Sequence, residues 1–229
     1  DVYKRQAFHR SHGRINIPPV MVIGLGRFGI SLASELTANG VEVLGVDADS
    51  RVVKEHAPYL TDAVVADTTD PEALEQLGLD DIECVVVSVG SQLEASILTV
   101  SHLLDAGVPD IWAKASSEPH GRILSQLGVH HVVHPERDTG RRVAHLLGGK
   151  FREFAEVTPG YCVTSMSAPH AFTGFALDLE EIWRKHRVQI IAMKHDNGDV
   201  MPMVNGTVLA PSDIIIAGGS PAALESLNR

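Results

Sequence analysis

Val20-Met21-Val22-Ile23-Gly24-Leu25-Gly26-Arg27-Phe28-Gly29 is the stretch that decides how this chain folds. Four apolar residues read as a buried strand, and from Arg27 the pattern is helical through Leu36 toward Gly40. Between them lies Gly-x-Gly-x-x-Gly. The spacing alone is common, but with a strand before it and a helix after it the glycines acquire separate duties. The missing Cβ at Gly26 lets a phosphate approach the N–H groups at the helix start, and Gly29 permits close packing of helix on sheet. The alternative is a glycine turn that holds no ligand.

Outward from this loop, short β-branched runs recur at Val20 to Ile23, Val41 to Val46, Ala63 to Val65, Cys84 to Val89, Ile111 to Ala113 and His131 to Val133. A helical stretch follows each. The spacing of about 20 to 27 residues is the length of one strand, one helix and two short loops. Six such units predict an α/β fold with a Rossmann-like, doubly wound parallel sheet. The run from Cys84 is apolar at nearly every position, as suits a central strand covered on both faces. Helix signals agree: Asp70-Pro71-Glu72 supplies a cap, an N1 proline and a first-turn acid, and Gly78 follows the segment. A further helix spans Ser91 to Asp105 before Gly107. The helix from Pro135 to Leu147 meets Gly148-Gly149, where the domain boundary is expected, giving a first domain over residues 19–149.

Residues 150–229 read as a small α+β domain. An alternating extended stretch runs from Phe154 to Met166, an amphipathic segment from Leu177 to His186 and a strand from Val188 to Met193. Asp196-Asn197-Gly198-Asp199 supplies a tight turn, because Asn-Gly tolerates positive φ. Short strands near Val200 to Val204 and Asp213 to Ala217 and a helix from Pro221 to Leu227 complete it.

Composition narrows the partners. Of 229 residues, 44% are hydrophobic and 21% charged, and 19 Lys and Arg against 29 Asp and Glu leave a net charge of −10. That sign opposes attraction to a nucleic-acid backbone or an anionic lipid surface. Cys84 and Cys162 lie far apart without a Cys-x-x-Cys pair, which fits a reducing compartment, and cytosol is expected. No run approaches the roughly 20 apolar residues needed to cross a bilayer. Residues 1–18 have neither periodicity nor a signal-peptide core and read as a disordered leader.

Chemistry-bearing residues gather at the strand ends. Asp47 closes the second strand about 20 residues beyond the loop, where an acid accepts from ribose hydroxyls and repels a 2′-phosphate. That favours NAD or an adenosine nucleotide over NADP. Asp47 could instead cap the helix from Asp49 to Ala57, a duty that Asp49 or Ser50 could also fill. At the third strand end, Ala66-Asp67-Thr68 places an acid either toward an adenine amino group or in a turn. Glu136 follows the sixth strand and opens a helix. His130, His131 and His134 cluster before it, but neighbouring histidines on a strand point to opposite faces and do not converge on a metal. Ser88 and Ser91 flank Gly90 without the Gly-x-Ser-x-Gly of a hydrolase. Met193, Met201 and Met203 read as core of the small domain. Arg184, Lys185 and Arg187, with His186 among them, read as a solvated helix end.

Several matched stretches in order resemble the TrkA/KtrA family of potassium-uptake regulators, built from an RCK (KTN) nucleotide-binding domain and a small RCK-C domain. They are Val22 to Gly29, Leu44-Gly45-Val46-Asp47, Ala66-Asp67-Thr68-Thr69, Ile111-Trp112-Ala113-Lys114-Ala115 and His134 to Gly140. The resemblance covers nearly everything after Pro19. It implies a ligand-gated regulator rather than an enzyme, a homo-oligomer of dimers in an octameric ring. This ring would lie in the cytoplasm beneath a membrane potassium channel or transporter subunit of the TrkH/KtrB type, without inserting into the membrane. ATP/ADP or NAD(H) is the implied ligand. Gly24, Gly26 and Gly29, with Arg27 and Phe28 in the same loop, would hold phosphates. Asp47 would hold the ribose, and Asp67, between Ala66 and Thr68, would lie near adenine. Lys114 and Arg27 would lie near phosphate, Arg27 reaching into its own or a neighbouring subunit. Glu136 would meet a cation, divalent with ATP, at the terminal phosphate. The small domain departs from the family at Ile182 to Val188, so the resemblance does not carry the cyclic di-AMP site of some relatives onto this chain. The rival is an NAD-dependent oxidoreductase, because the glycine loop serves both.

Overall fold

The computed structural model describes residues 17–90, 92–195 and 198–227. Residues 1–16 of the expected leader, Ser91 of the expected fourth helix, and Asp196 and Asn197 of the expected turn lie outside that set. The chain divides into two compact units after Glu136.

The first unit is the expected parallel sheet. Its strands are β1 (Val20–Ile23), β2 (Val43–Asp47), β3 (Asp62–Val65), β4 (Cys84–Val87), β5 (Asp110–Lys114) and β6 (His131–Val133), in the order β3-β2-β1-β4-β5-β6, and every pairing is parallel. The order reverses between β1 and β4, which opens a crevice at the carboxyl ends of those two strands. All four residues of β1 are buried, and β4 is buried at Val85, Val86 and Val87. Two cores explain this. Met21, Ile23, Val85 and Val87 face one, while Val20, Val22 and Val86 face the other.

The helices are α1 (Arg27–Ala38), α2 (Ser50–His56), α3 (Pro71–Glu75), α4 (Leu93–Asp105) and α5 (Glu118–Leu127). Asp49, Asp70 and Ser117 cap α2, α3 and α5 through their side chains. By contrast α1 starts at Gly26 with no capping side chain and no acid in its first turn.

A sixth helix, α6 (Pro135–Leu147), begins at the end of the first unit and runs into the second. The sequence placed the division at residues 149 and 150, thirteen positions later than the division after Glu136. Leu146 packs on the core of the second unit and His145 stacks on Phe154 at 4.0 Å, so the side chains of α6 tie it there. Gly148 and Gly149 mark the helix end rather than the division.

The second unit is an antiparallel sheet in the order β10-β9-β11-β8-β7. Its strands are β7 (Glu153–Thr158), β8 (Tyr161–Ser167), β9 (Val188–Lys194), β10 (Val200–Pro202) and β11 (Ile214–Gly219), with helices α7 (Leu179–His186) and α8 (Pro221–Ser226). The single extended stretch expected from Phe154 to Met166 is instead a hairpin. Gly160, at φ +80°, turns the chain and pairs Thr158 with Tyr161. Met193 and Met203 are core residues as read, but Met201 is 42% exposed, because β10 is an edge strand with a neighbour on one side only.

Candidate nucleotide site

At the crevice the structure forms a cleft of about 430 Å³. Of the residues singled out from sequence, Gly24, Gly26, Asp47, Ala66, Asp67 and Thr68 line it. Arg27, Phe28, Gly29, Lys114 and Glu136 do not.

The three loop glycines have different physical reasons. Gly24 adopts φ +88°, a region that side chains disfavour. At Gly29 a Cβ would collide with the Gly24 carbonyl oxygen and the Ser88 hydroxyl, so this glycine serves packing. Gly26 satisfies neither account. Its φ is −67°, open to any residue, and a Cβ there would meet nothing within 4 Å. What a side chain at Gly26 would fill is the open space beside the start of α1, where unpaired N–H groups and the positive end of the helix dipole favour an anion.

Asp47 is tied into the loop. Its Oδ2 accepts from the Leu25 N–H at 2.7 Å and its Oδ1 from the Asp49 N–H at 2.9 Å. The helix cap proper is Asp49, which accepts from Arg51 N–H at 2.9 Å and pairs with the Arg51 guanidinium at 2.8 Å. The Arg51 hydrogen bonds draw the Asp49 carboxyl down to about 2. Asp67 accepts from both the hydroxyl (2.7 Å) and the N–H (3.0 Å) of Thr69, and these bonds lower its pKa. Thr68 is buried with its hydroxyl 2.8 Å from that of Thr99. Three carboxylates, Asp47, Asp49 and Asp67, thus line the cleft. They suit hydroxyl and amino groups and oppose an added phosphate.

Lys114 and Glu136 form a second group. Lys114 Nζ donates to Glu136 Oε1 at 2.6 Å and lies 5.9 Å from the centre of the Phe28 ring. This hydrogen bond lowers the Glu136 pKa, with a smaller contribution from the Arg27 charge. The group adjoins the cleft at Gly90, a lining residue whose Cβ would stand 3.4 Å from Lys114 Cε. Ser88, Gly90 and Gln92 also line the cleft, and no ligand contact was assigned to them from sequence. The signal was available: ligands in open parallel sheets bind beyond strand carboxyl ends, and these residues follow β4.

The histidines separate. His130 Nδ1 accepts from the Ile111 N–H at 3.0 Å, whereas His131 stacks on Trp112 at 4.0 Å. Among the described residues no group of three or more His, Cys, Asp or Glu could hold a metal ion, and no helix is long and apolar enough to cross a membrane.

Comparison with known proteins agrees with this architecture. The family model described as the TrkA-N domain matches residues 20–135. Ktr system potassium uptake protein C of Bacillus subtilis is 36% identical over 200 residues, 87% of this chain and 90% of that protein. Ktr system potassium uptake protein A of the same organism is 34% identical over 204 residues, 89% of each chain. Among solved structures, the GsuK channel bound to NAD is similar with a TM-score of 0.63 at 17% identity, over 96% of this chain and 42% of that one. Its likeness is one of fold. With one model spanning half the sequence and relatives above 30% identical along most of their length, the chain belongs to the TrkA/KtrA family of potassium-uptake regulatory proteins.

Proposed function

We infer that this chain is a nucleotide-sensing regulatory subunit of a potassium uptake system and not an enzyme. The observation that carries the nucleotide half is Gly26, whose missing Cβ is required neither by φ nor by packing and leaves open space at an uncapped helix start. ADP, ATP or NAD(H) fits the polarity of the cleft, with phosphates at α1 and the adenosine toward Asp47 and Asp67. The regulatory half rests on relatives named for potassium uptake. Its partner is a membrane potassium channel or transporter subunit, met at the cytoplasmic face by a ring of dimers, octameric in this reading. The oxidoreductase alternative is supported by the glycine loop alone, which both functions share.

A divalent cation with ATP belongs to the same reading. One carboxylate together with phosphate oxygens and water suffices for magnesium, and Glu136 offers an exposed carboxylate. Among the described residues no group of three or more His, Cys, Asp or Glu could hold the ion without the nucleotide, so the cation would arrive with it.

Thermal unfolding with ATP, ADP and NAD tests the site. At a concentration 100 times the dissociation constant, linkage stabilises the folded chain by about 2.7 kcal/mol. Gly26→Val is expected to fold normally and to lose that shift. A valine variant that binds as wild type does would refute the phosphate assignment. Potassium flux into vesicles holding the membrane partner, with and without nucleotide, tests the regulatory half.

A further inference from the structure

Resting on the nucleotide reading, we propose that Ser88 is a positioning residue for phosphate binding. Its hydroxyl and the Asp47 carboxylate clamp one peptide unit, Gly24–Leu25, from opposite sides and so set the direction of the loop amides that follow.

The Ser88 hydroxyl donates to the Gly24 carbonyl oxygen and also stands 3.2 Å from that of Ile23. On the same peptide unit the Leu25 N–H donates to Asp47 Oδ2 at 2.7 Å. A peptide unit is planar, so holding its oxygen and its N–H together leaves it one orientation. The need for a clamp comes from Gly24. Glycine at φ +88° has other wells of similar energy, and an unclamped Gly24–Leu25 unit rotates between them at little cost. Gly26 and Arg27 follow directly, and the direction of their N–H groups depends on how that unit is turned.

The clamp also joins three strand ends. The Gly24 N–H donates to the Val46 carbonyl at 2.7 Å and the Ser88 N–H to that of Ile23 at 2.8 Å, so the loop is held to β2 and β4 as well as by its own strand. Ser88 is 8% exposed, and its hydroxyl therefore bonds to protein with little competition from water. Asp47 cannot isolate this duty, because its substitution disturbs ribose binding and loop orientation together. Ser88 can.

The test titrates the full chain calorimetrically with adenosine and with ADP. Wild type, Ser88→Ala and Ser88→Thr are compared. Ser88→Ala is expected to weaken ADP about three- to tenfold, the value of one hydrogen bond, while leaving adenosine within about twofold. Ser88→Thr keeps the hydroxyl and is expected to restore ADP affinity. In the ligand-free protein the Leu25 and Gly26 amide resonances of Ser88→Ala should broaden, a change that direct contact between Ser88 and ligand would not produce. Equal weakening of adenosine and ADP, unchanged ADP binding, or sharp unshifted amides would each overturn the clamp. If the wild-type chain binds neither compound, the nucleotide reading falls and the clamp with it. Wild-type binding with any of the three former results removes the clamp alone.

Discussion

Lys114 Nζ and Glu136 Oε1 stand 2.6 Å apart, yet the lysine side chain is only 14% exposed and the glutamate is 66% exposed. The lysine is thus fixed between Phe28 and Gly90, while its partner remains largely in water. A phosphate that takes the place of Glu136 keeps Lys114 Nζ paired with an anion, so the exchange leaves no buried charge without a partner. Lys114→Met is expected to weaken ADP binding about tenfold or more by removing a charged donor, measured by calorimetry against wild type.

ATP and ADP share adenosine and two phosphates, and only readers of the terminal phosphate can tell them apart. Arg27→Ala and Glu136→Gln are expected to leave ADP affinity nearly intact and to shrink the difference between ATP and ADP in transport activation. Glu136→Gln should also remove any dependence on divalent cation. A coupling of about 1 to 3 kcal/mol suffices for such a response. Flux in reconstituted vesicles decides it, and an unchanged nucleotide preference in both variants would sink the assignment.

Gly26 and Gly29 are three positions apart and should respond oppositely to the same added methyl group. Gly26→Ala meets nothing within 4 Å and lies in a helix cap open to alanine, so apo stability should change by less than about 1 kcal/mol. Gly29→Ala drives a Cβ into the Gly24 carbonyl and Ser88, and should cost about 1 to 3 kcal/mol or more. Thermal unfolding without ligand compares them; equal losses would contradict the packing account.

Burial, followed by the neighbouring Asp110 carboxylate, pushes the Cys84 thiol up to about 11. Its alkylation by iodoacetamide should be slow at pH 8 and accelerate toward pH 11. The folded value exceeds the ordinary 9.0, so the unfolded chain ionises first as pH rises. The stability linked to this thiol is complete below pH 9 and is lost as pH climbs through 11. Cys84→Ala should flatten that part of the unfolding profile, and an unaltered slope would exclude Cys84 as its source.

Periodicity made the first unit legible. Each strand and each helix cap there is a pattern of a few adjacent residues, and the glycine loop shows its purpose through the strand before it and the helix after it. In the second unit the same reasoning ran Phe154 to Met166 as one strand. The reversal at Gly160 depends on how Glu153 to Glu156 pair across to Cys162 to Ser165, which alternation alone does not reveal.

Local sequence determined the six-strand array, the loop and the acids at the strand ends, because each follows from residues within one turn or one strand of each other. Only the tertiary structure decided which of these meet. Leu25 reaches Asp47 across 22 positions, Ser88 reaches Gly24 across 64, and Lys114 reaches Glu136 across 22. The unit to which α6 belongs was likewise decided by Leu146 and His145 finding the core and Phe154 of the second unit. Such contacts depend on strand order and on which face each side chain occupies, and those are properties of the packed sheet rather than of any one segment.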